Sequence, residues 1–340
     1  IGNAINYTDR RMDSDFLLNG NLKQILNATI ISKKPNLFHI DAAIQDPLST
    51  GQMKIAGKWR EYTWAIPNQF ALTAENGNLN LNGTFNHYTL TAKTTLFTDK
   101  TPPLHLDLKA TGSAKNIQIQ KLQMTAEKGK LIITGAAGLT PALHWQLKLN
   151  SQNFNSDVWL PRTTSSLNML LTSEGKIIQK KLVANLALTK LQGTYNELPI
   201  SGKGTIDYNY THIIFNQLLL KIGANQLNAN GQLSANSSFN WKLDIKQLKT
   251  LYPTYNGQVT STGKVTGNLT QPNIQTNTVA KQLKTNLLST TNLSIIANFD
   301  TSFHKTMQLK INGDNLLWHW LDFKNINLAM TGNKNKHTFN

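Results

Sequence analysis

Residues able to carry acid–base or metal chemistry are few and scattered in this chain. It has eight histidines, His39, His87, His105, His144, His212, His304, His319 and His337, and no cysteine. Without cysteine, disulfides and thiolate metal sites are excluded. His105 and His144 fall on the polar side of alternating segments, where a solvated imidazole is expected rather than a metal ligand. His319 stands between Trp318 and Trp320, and a packing role is expected for it. Only 18 residues are acidic, and no carboxylate pair stands out for general acid–base work. No HExxH, P-loop, GxSxG or GxGxxG signature occurs, and Gly202-Lys-Gly204 is too short to count as one. The expectation is a protein that is not an enzyme, with no catalytic residue, no metal and no cofactor.

The charge is strongly positive, 34 basic residues against 18 acidic, a net +16. Lysines are spread along the whole chain, without the dense run that marks a nucleic-acid patch. A solvated outer face is the expected use of that charge, and no nucleic acid is expected as a partner. Apolar residues make up 39%, below the about 45–50% of ordinary domains. A thin structure that buries one face of each strand needs fewer apolar residues than a thick globule. No apolar run reaches the roughly 18 residues of a membrane span. The chain opens at Ile1 without a Met and closes within a strand-like pattern, so it is expected to be an excerpt of something longer.

What must position any binding surface is a set of strands, because the dominant signal has period two. Leu104-His-Leu106-Asp-Leu108 alternates strictly, as do Leu143-His-Trp145-Gln-Leu147-Lys-Leu149 and Phe239-Asn-Trp241-Lys-Leu243-Asp-Ile245. Leu79 and Leu81, Leu131 and Ile133, and Leu182, Leu186 and Leu188 follow the same rule. So do Leu218, Leu220 and Ile222, Leu227, and Ile326, Leu328 and Met330. Successive side chains of a strand point to opposite faces, so each segment offers one apolar and one polar face. These residues are the expected lining of one apolar wall.

Asn-Gly pairs at Asn19-Gly20, Asn76-Gly77, Asn82-Gly83, Asn256-Gly257 and Asn312-Gly313 are expected to form hairpin turns, since both residue types tolerate positive φ. Short helical turns are expected within Asp9–Leu18 and Ser156–Leu171. A Gly-x5-Gly motif recurs at Gly51, Gly77, Gly129 and Gly257, with steps of 26, 52 and 128 residues. Gly231 follows Gly135, and Trp241 follows Trp145, by 96 residues. The expectation is a set of stacked units of two strands and two turns in a single architectural segment over 1–340.

A sheet with one apolar face must cover that face, close into a barrel, or curl around something apolar. The wet face is too polar for a membrane barrel. The expected fold is all-β: a long, curved, mostly antiparallel sheet forming an elongated groove with an apolar interior. Phospholipid acyl chains are the natural contents, since each methylene removed from water contributes roughly 0.8 kcal/mol. A lining without polar interruption would favour sliding over tight capture.

One segment carries a family resemblance. It runs from Phe239 to Leu248 and through Pro253, Gly257, Gly263-Lys-Val-Thr-Gly267 and Gln271-Pro272-Asn-Ile274. With Phe70–Gly83 and Tyr88-Thr-Leu90, it resembles the C-terminal half of the TamB family, within the AsmA-like, bridge-like lipid transfer group. The resemblance implies a β-taco groove in the periplasm of a Gram-negative bacterium, with the whole protein anchored in the inner membrane. It implies phospholipid transport to the outer membrane, and a TamA-like barrel of the Omp85 group as partner through regions outside this sequence. Two other readings stay open beside it. One is a chaperone-like scaffold for outer-membrane barrel assembly, pairing strands at an open edge; the other is a β-solenoid adhesin.

Overall fold

The computed structural model describes residues 13–34, 36–65, 71–98, 102–156, 164–302 and 306–340. Among the described residues there are 22 strands, with a 3-10 turn at Leu248–Thr250. They fall into two compact units, 1–176 and 177–340. The first holds β1 (Asp13–Gly20), β2 (Ile25–Lys34), β3 (Leu37–Gln45), β4 (Gln52–Ala65), β5 (Ala71–Gly83), β6 (Tyr88–Thr98), β7 (Leu104–Gly112), β8 (Asn116–Thr125), β9 (Lys130–Gly138) and β10 (Leu143–Phe154). β11 (Ser165–Ile178) ends just past the boundary. The second holds β12 (Lys181–Tyr195), β13 (Leu198–Asn209), β14 (His212–Ile222), β15 (Asn225–Leu233), β16 (Ser237–Ile245), β17 (Asn256–Gly267), β18 (Asn273–Lys284), β19 (Leu288–Asp300), β20 (Met307–Trp318), β21 (Leu321–Gly332) and β22 (His337–Phe339).

Within each unit every strand pairs antiparallel with the next in sequence, from β1 to β10 and from β12 to β22. In the first unit β11 lies beside β10, where Ser151 Oγ donates to Leu167 O at 2.9 Å and accepts from Met169 N at 2.9 Å. The fold is all-β and antiparallel, and the ladders do not close into a barrel. The strand-to-strand meander follows directly from short turns between alternating segments.

Two local expectations are corrected. Asp13–Leu18 is extended in β1 and Ser165–Leu171 in β11 rather than helical, while Ser156 alone stands in a 3-10 turn; residues 9–12 and 157–163 lie outside the described residues. In β11 Leu167 and Met169 stand either side of Asn168, which suits a half-buried strand. Asn76-Gly77 and Asn312-Gly313 are not turns but strand interior, in β5 and β20. Asn76 has φ 47° and opens a bulge opposite β6, whereas Gly313 pairs with Leu293 and Ile326. The positive φ that suits an Asn to a hairpin suits it equally to a bulge.

The repeat also reads differently in three dimensions. The Gly51 and Gly77 motifs lie on adjacent strands running in opposite directions, with Met53 opposite Gly83 and Trp59 opposite Gly77. The 26-residue step is therefore one strand and a turn to an antiparallel neighbour, not a translation by a two-strand unit.

Burial is shallow. Among the described residues seven of the 13 buried apolar side chains gather in two small clusters. Leu104, Ala126, Leu131 and Phe154 form one in the first unit, and Ala280, Leu293 and Leu316 one in the second. Both sit at the strand ends reached by turns that follow even-numbered strands.

Candidate apolar binding face

Residues directly opposite one another in an antiparallel ladder share a face, so the registers trace each face across a unit. In the first unit one row runs Phe16, Ile30, Ile40, Gly57, Leu79, Ala92, Leu108, Leu122, Ile133 and Leu149, one residue from each of ten strands. Every member is apolar or glycine. In the second unit the row through Trp241 runs Leu218, Ala229, Trp241, Gly263, Thr276, Ala297, Leu309, Met330 and Phe339. The row beside it runs Leu191, Gly202, Leu220, Leu227, Leu243, Ser261, Thr278, Ile295, Ile311 and Leu328.

These rows and the alternation around them locate every residue expected in the lining. In the first unit Leu79, Leu81, Leu104, Leu106, Leu108, Leu131, Ile133, Leu143, Trp145, Leu147 and Leu149 share one face. In the second, so do Leu182, Leu186, Leu188, Leu218, Leu220, Ile222, Leu227, Phe239, Trp241, Leu243, Ile245, Ile326, Leu328 and Met330. Of these, Leu104, Leu131 and Ile245 are buried, while Leu143, Leu182 and Leu186 are exposed. The others are half-buried. In the second unit lysines and acids fall on the opposite face or in turns and bulges. In the first unit the ion pairs Lys33–Asp15 at 2.8 Å and Lys121–Asp107 at 3.1 Å lie on that opposite face.

Alternation also puts on the apolar face residues the sequence reading passed over, among them Ile30, Ile40, Ile55, Ile206, Phe215, Ile295 and Ile311. The signal was present in segments such as Leu309-Lys-Ile311, but is shorter there. Trp59 was also passed over. It lies across Gly77, where a Cβ would stand 1.7 Å from the indole, and its Nε1 donates to Thr94 Oγ1 at 3.2 Å. A cavity of about 570 Å³ beside it is lined in part by Ser32, Phe38, Arg60 and Asn76.

The expectation of a lining without polar interruption is corrected. Trp241 Nε1 donates to Ser261 Oγ at 3.2 Å, Ser261 Oγ meets Thr278 Oγ1 at 2.9 Å, and Thr278 meets Thr276 at 3.3 Å between hydroxyls. This hydroxyl row crosses the apolar face on β17 and β18. Each hydroxyl there has a partner, so its cost in a half-buried face is offset. Trp145 satisfies its Nε1 in the same way, donating to Ser173 Oγ on β11 at 3.0 Å.

Among the described residues the titratable groups that shift lie outside the apolar face. Asp41 is held below the usual carboxylate range, first by the Thr29 hydroxyl at 2.9 Å and then by His39 at 3.1 Å. Lys33 is raised, chiefly by its hydrogen bond to Asp15. His105 bonds Thr95 Oγ1 through Nδ1 at 2.9 Å, while Asp107 is taken by Lys121. Among the described residues no three His, Asp or Glu side chains gather as metal ligands, and no helix is long and apolar enough to cross a membrane.

The chain is 23% identical over 243 residues to a protein named "Translocation and assembly module subunit TamB" from Haemophilus influenzae. That match covers 69% of this chain and 18% of the relative, so the chain spans less than a fifth of that protein's length. No solved structure matches the chain. A family model described as "TamB, N-terminal domain" matches residues 11–340. The assignment to a C-terminal half is thereby not supported: alternation of the kind seen around Trp241 recurs through this chain and does not by itself say which stretch of a longer protein it came from. With residues 11–340 matched, the chain belongs to the TamB N-terminal domain family.

Proposed function

We propose that the apolar faces bind phospholipid acyl chains. On this reading the chain passes lipid across the periplasm, between inner and outer membrane, as part of a translocation and assembly module and without catalysis. The observation that carries this reading is a half-buried apolar face free of charge across the strands of a unit, with few side chains filling it. A 16-carbon chain fully removed from water would gain on the order of 10 kcal/mol. Half-burial in an open face gives about half of that, enough to hold a tail and little enough to release it.

The module reading rests on the family and on the name of the Haemophilus influenzae relative. A TamA-like outer-membrane barrel is the proposed partner of the whole protein, and attachment to the inner membrane its proposed anchorage. Photo-crosslinking side chains at Leu106, Leu147 and Leu243 test the reading in cells. Labelled phospholipid at these sites is the expected product. Labelled polypeptide alone would instead favour a scaffold for barrel assembly.

A further inference from the structure

The Trp318-His319-Trp320 triplet is not packed. It forms the tip of the β20–β21 hairpin, with His319 at φ 54°. Trp320 is 84% exposed and Trp318 53%. Two more apolar turns share this end of the second unit, since all three follow even-numbered strands. The β18–β19 turn carries Leu287, 59% exposed, and His319 N donates to Leu287 O at 3.2 Å, which ties the two tips together. The β16–β17 loop carries Tyr252, 58% exposed. Alternate turns of a meander stand two strand spacings apart, about 10 Å. Charge at this end favours an anionic partner: Lys246, Lys249, Lys281, Lys284 and Lys324 outnumber Asp244, Asp314 and Asp322, and among the described residues only Lys246 of these lysines has an ion pair, with Asp244.

A protein partner would need a face of roughly 800 Å². Three narrow tips present less, since a whole aromatic side chain offers only about 150–250 Å². Protruding indoles flanked by lysines match the headgroup region of a bilayer, where a ring with one polar edge is at home. We propose that this end of the second unit docks on an anionic lipid bilayer, with Trp320 and Trp318 entering the headgroup layer and Lys249 and Lys284 meeting lipid phosphates. This goes beyond the conduit reading and does not depend on it.

Co-flotation of the chain with vesicles tests the proposal. Binding is expected to vesicles of mixed phosphatidylcholine and phosphatidylglycerol, weaker at high salt, and little to phosphatidylcholine alone. Trp320→Ala is expected to weaken binding about tenfold with no change in melting temperature, because the ring packs on little. The Lys249→Glu, Lys284→Glu pair is expected to weaken it as well. Flotation reads vesicle docking, whereas crosslinking at Leu106, Leu147 and Leu243 reads tail contact, so failure of the conduit reading would leave this result standing. No flotation with anionic vesicles, or equal flotation of Trp320→Ala, overturns the proposal. So does a Trp320-dependent dimer seen by light scattering without lipid, which would make the tip a contact between copies.

Discussion

Two tryptophans lie flat on glycines of the neighbouring strand, and these pairs show how single residues shape the apolar face. A Cβ at Gly263 would stand 2.0 Å from the Trp241 ring, and one at Gly77 1.7 Å from Trp59. The missing side chain is what lets the indole cover the sheet while its N–H reaches Ser261 or Thr94. Gly263→Ala should therefore destabilise by about 1–3 kcal/mol through overpacking. Most of that loss should vanish in a Trp241→Ala background, as a double-mutant cycle in urea would measure. Additive losses would mean the contact is not the cause. On the other face, Asp41 keeps a lowered pKa chiefly through Thr29. A carboxyl whose pKa falls on folding adds stability above its unfolded pKa and loses it as pH falls through the folded value. Thr29→Val should return the Asp41 titration, followed by NMR, towards the usual carboxylate range.

At the scale of elements, the strands were legible and their irregularities were not. Period-two alternation fixes which face a Leu occupies without knowledge of its neighbours, so Leu243 and Trp241 could be assigned from their own segment. A bulge depends on the strand beside it. Gln217 on β14 sits at φ 48° and breaks the register between Phe215 and Leu218. Nothing in its own segment announces this, because the device that supports it is Asn230 on β15, whose Oδ1 accepts from Gln217 N at 3.1 Å. A positive φ supported by an asparagine of the next strand recurs in β10, where Asn153, at φ 46°, donates its N–H to Asn168 Oδ1 at 3.1 Å. Bulges bend and twist a strand locally, and curvature of this kind needs them. Asn230→Ala should cost about 1 kcal/mol, the net worth of one such hydrogen bond. Asn230→Asp, which keeps the acceptor, should cost less; equal losses in chemical unfolding would assign the effect to packing. The sequence singled out His319 between its tryptophans but pointed to packing rather than a turn, since His319-Trp320 contains none of the residues that mark one.

For the molecule as a whole, the unusual quantity is how little of its apolar surface is fully buried. Among the described residues the buried apolar set has 13 members, six of them alanines, while the row through Leu243, and that through Leu79 apart from Phe16 and Gly57, stay half-buried. Such a sheet gains less from its own packing than a closed sandwich does, and a bound tail would supply the missing cover. Ligand that binds only the folded state stabilises it by RT ln(1 + [L]/Kd), about 2.7 kcal/mol at a hundredfold excess over Kd. Delipidated chain should therefore melt higher when a long-chain fatty acid is added, and octanoate should do less, because fewer methylenes leave water. Leu243 is the place to break this response. It stands between Leu227 and Ser261 in the row beside Trp241, half-buried, so an arginine there can turn its head group to water without unfolding the ladder. Leu243→Arg should melt within a few degrees of the parent without lipid, yet lose most of the upward shift with it. A variant that melts like the parent and keeps the full shift would show that tails do not lie against β16.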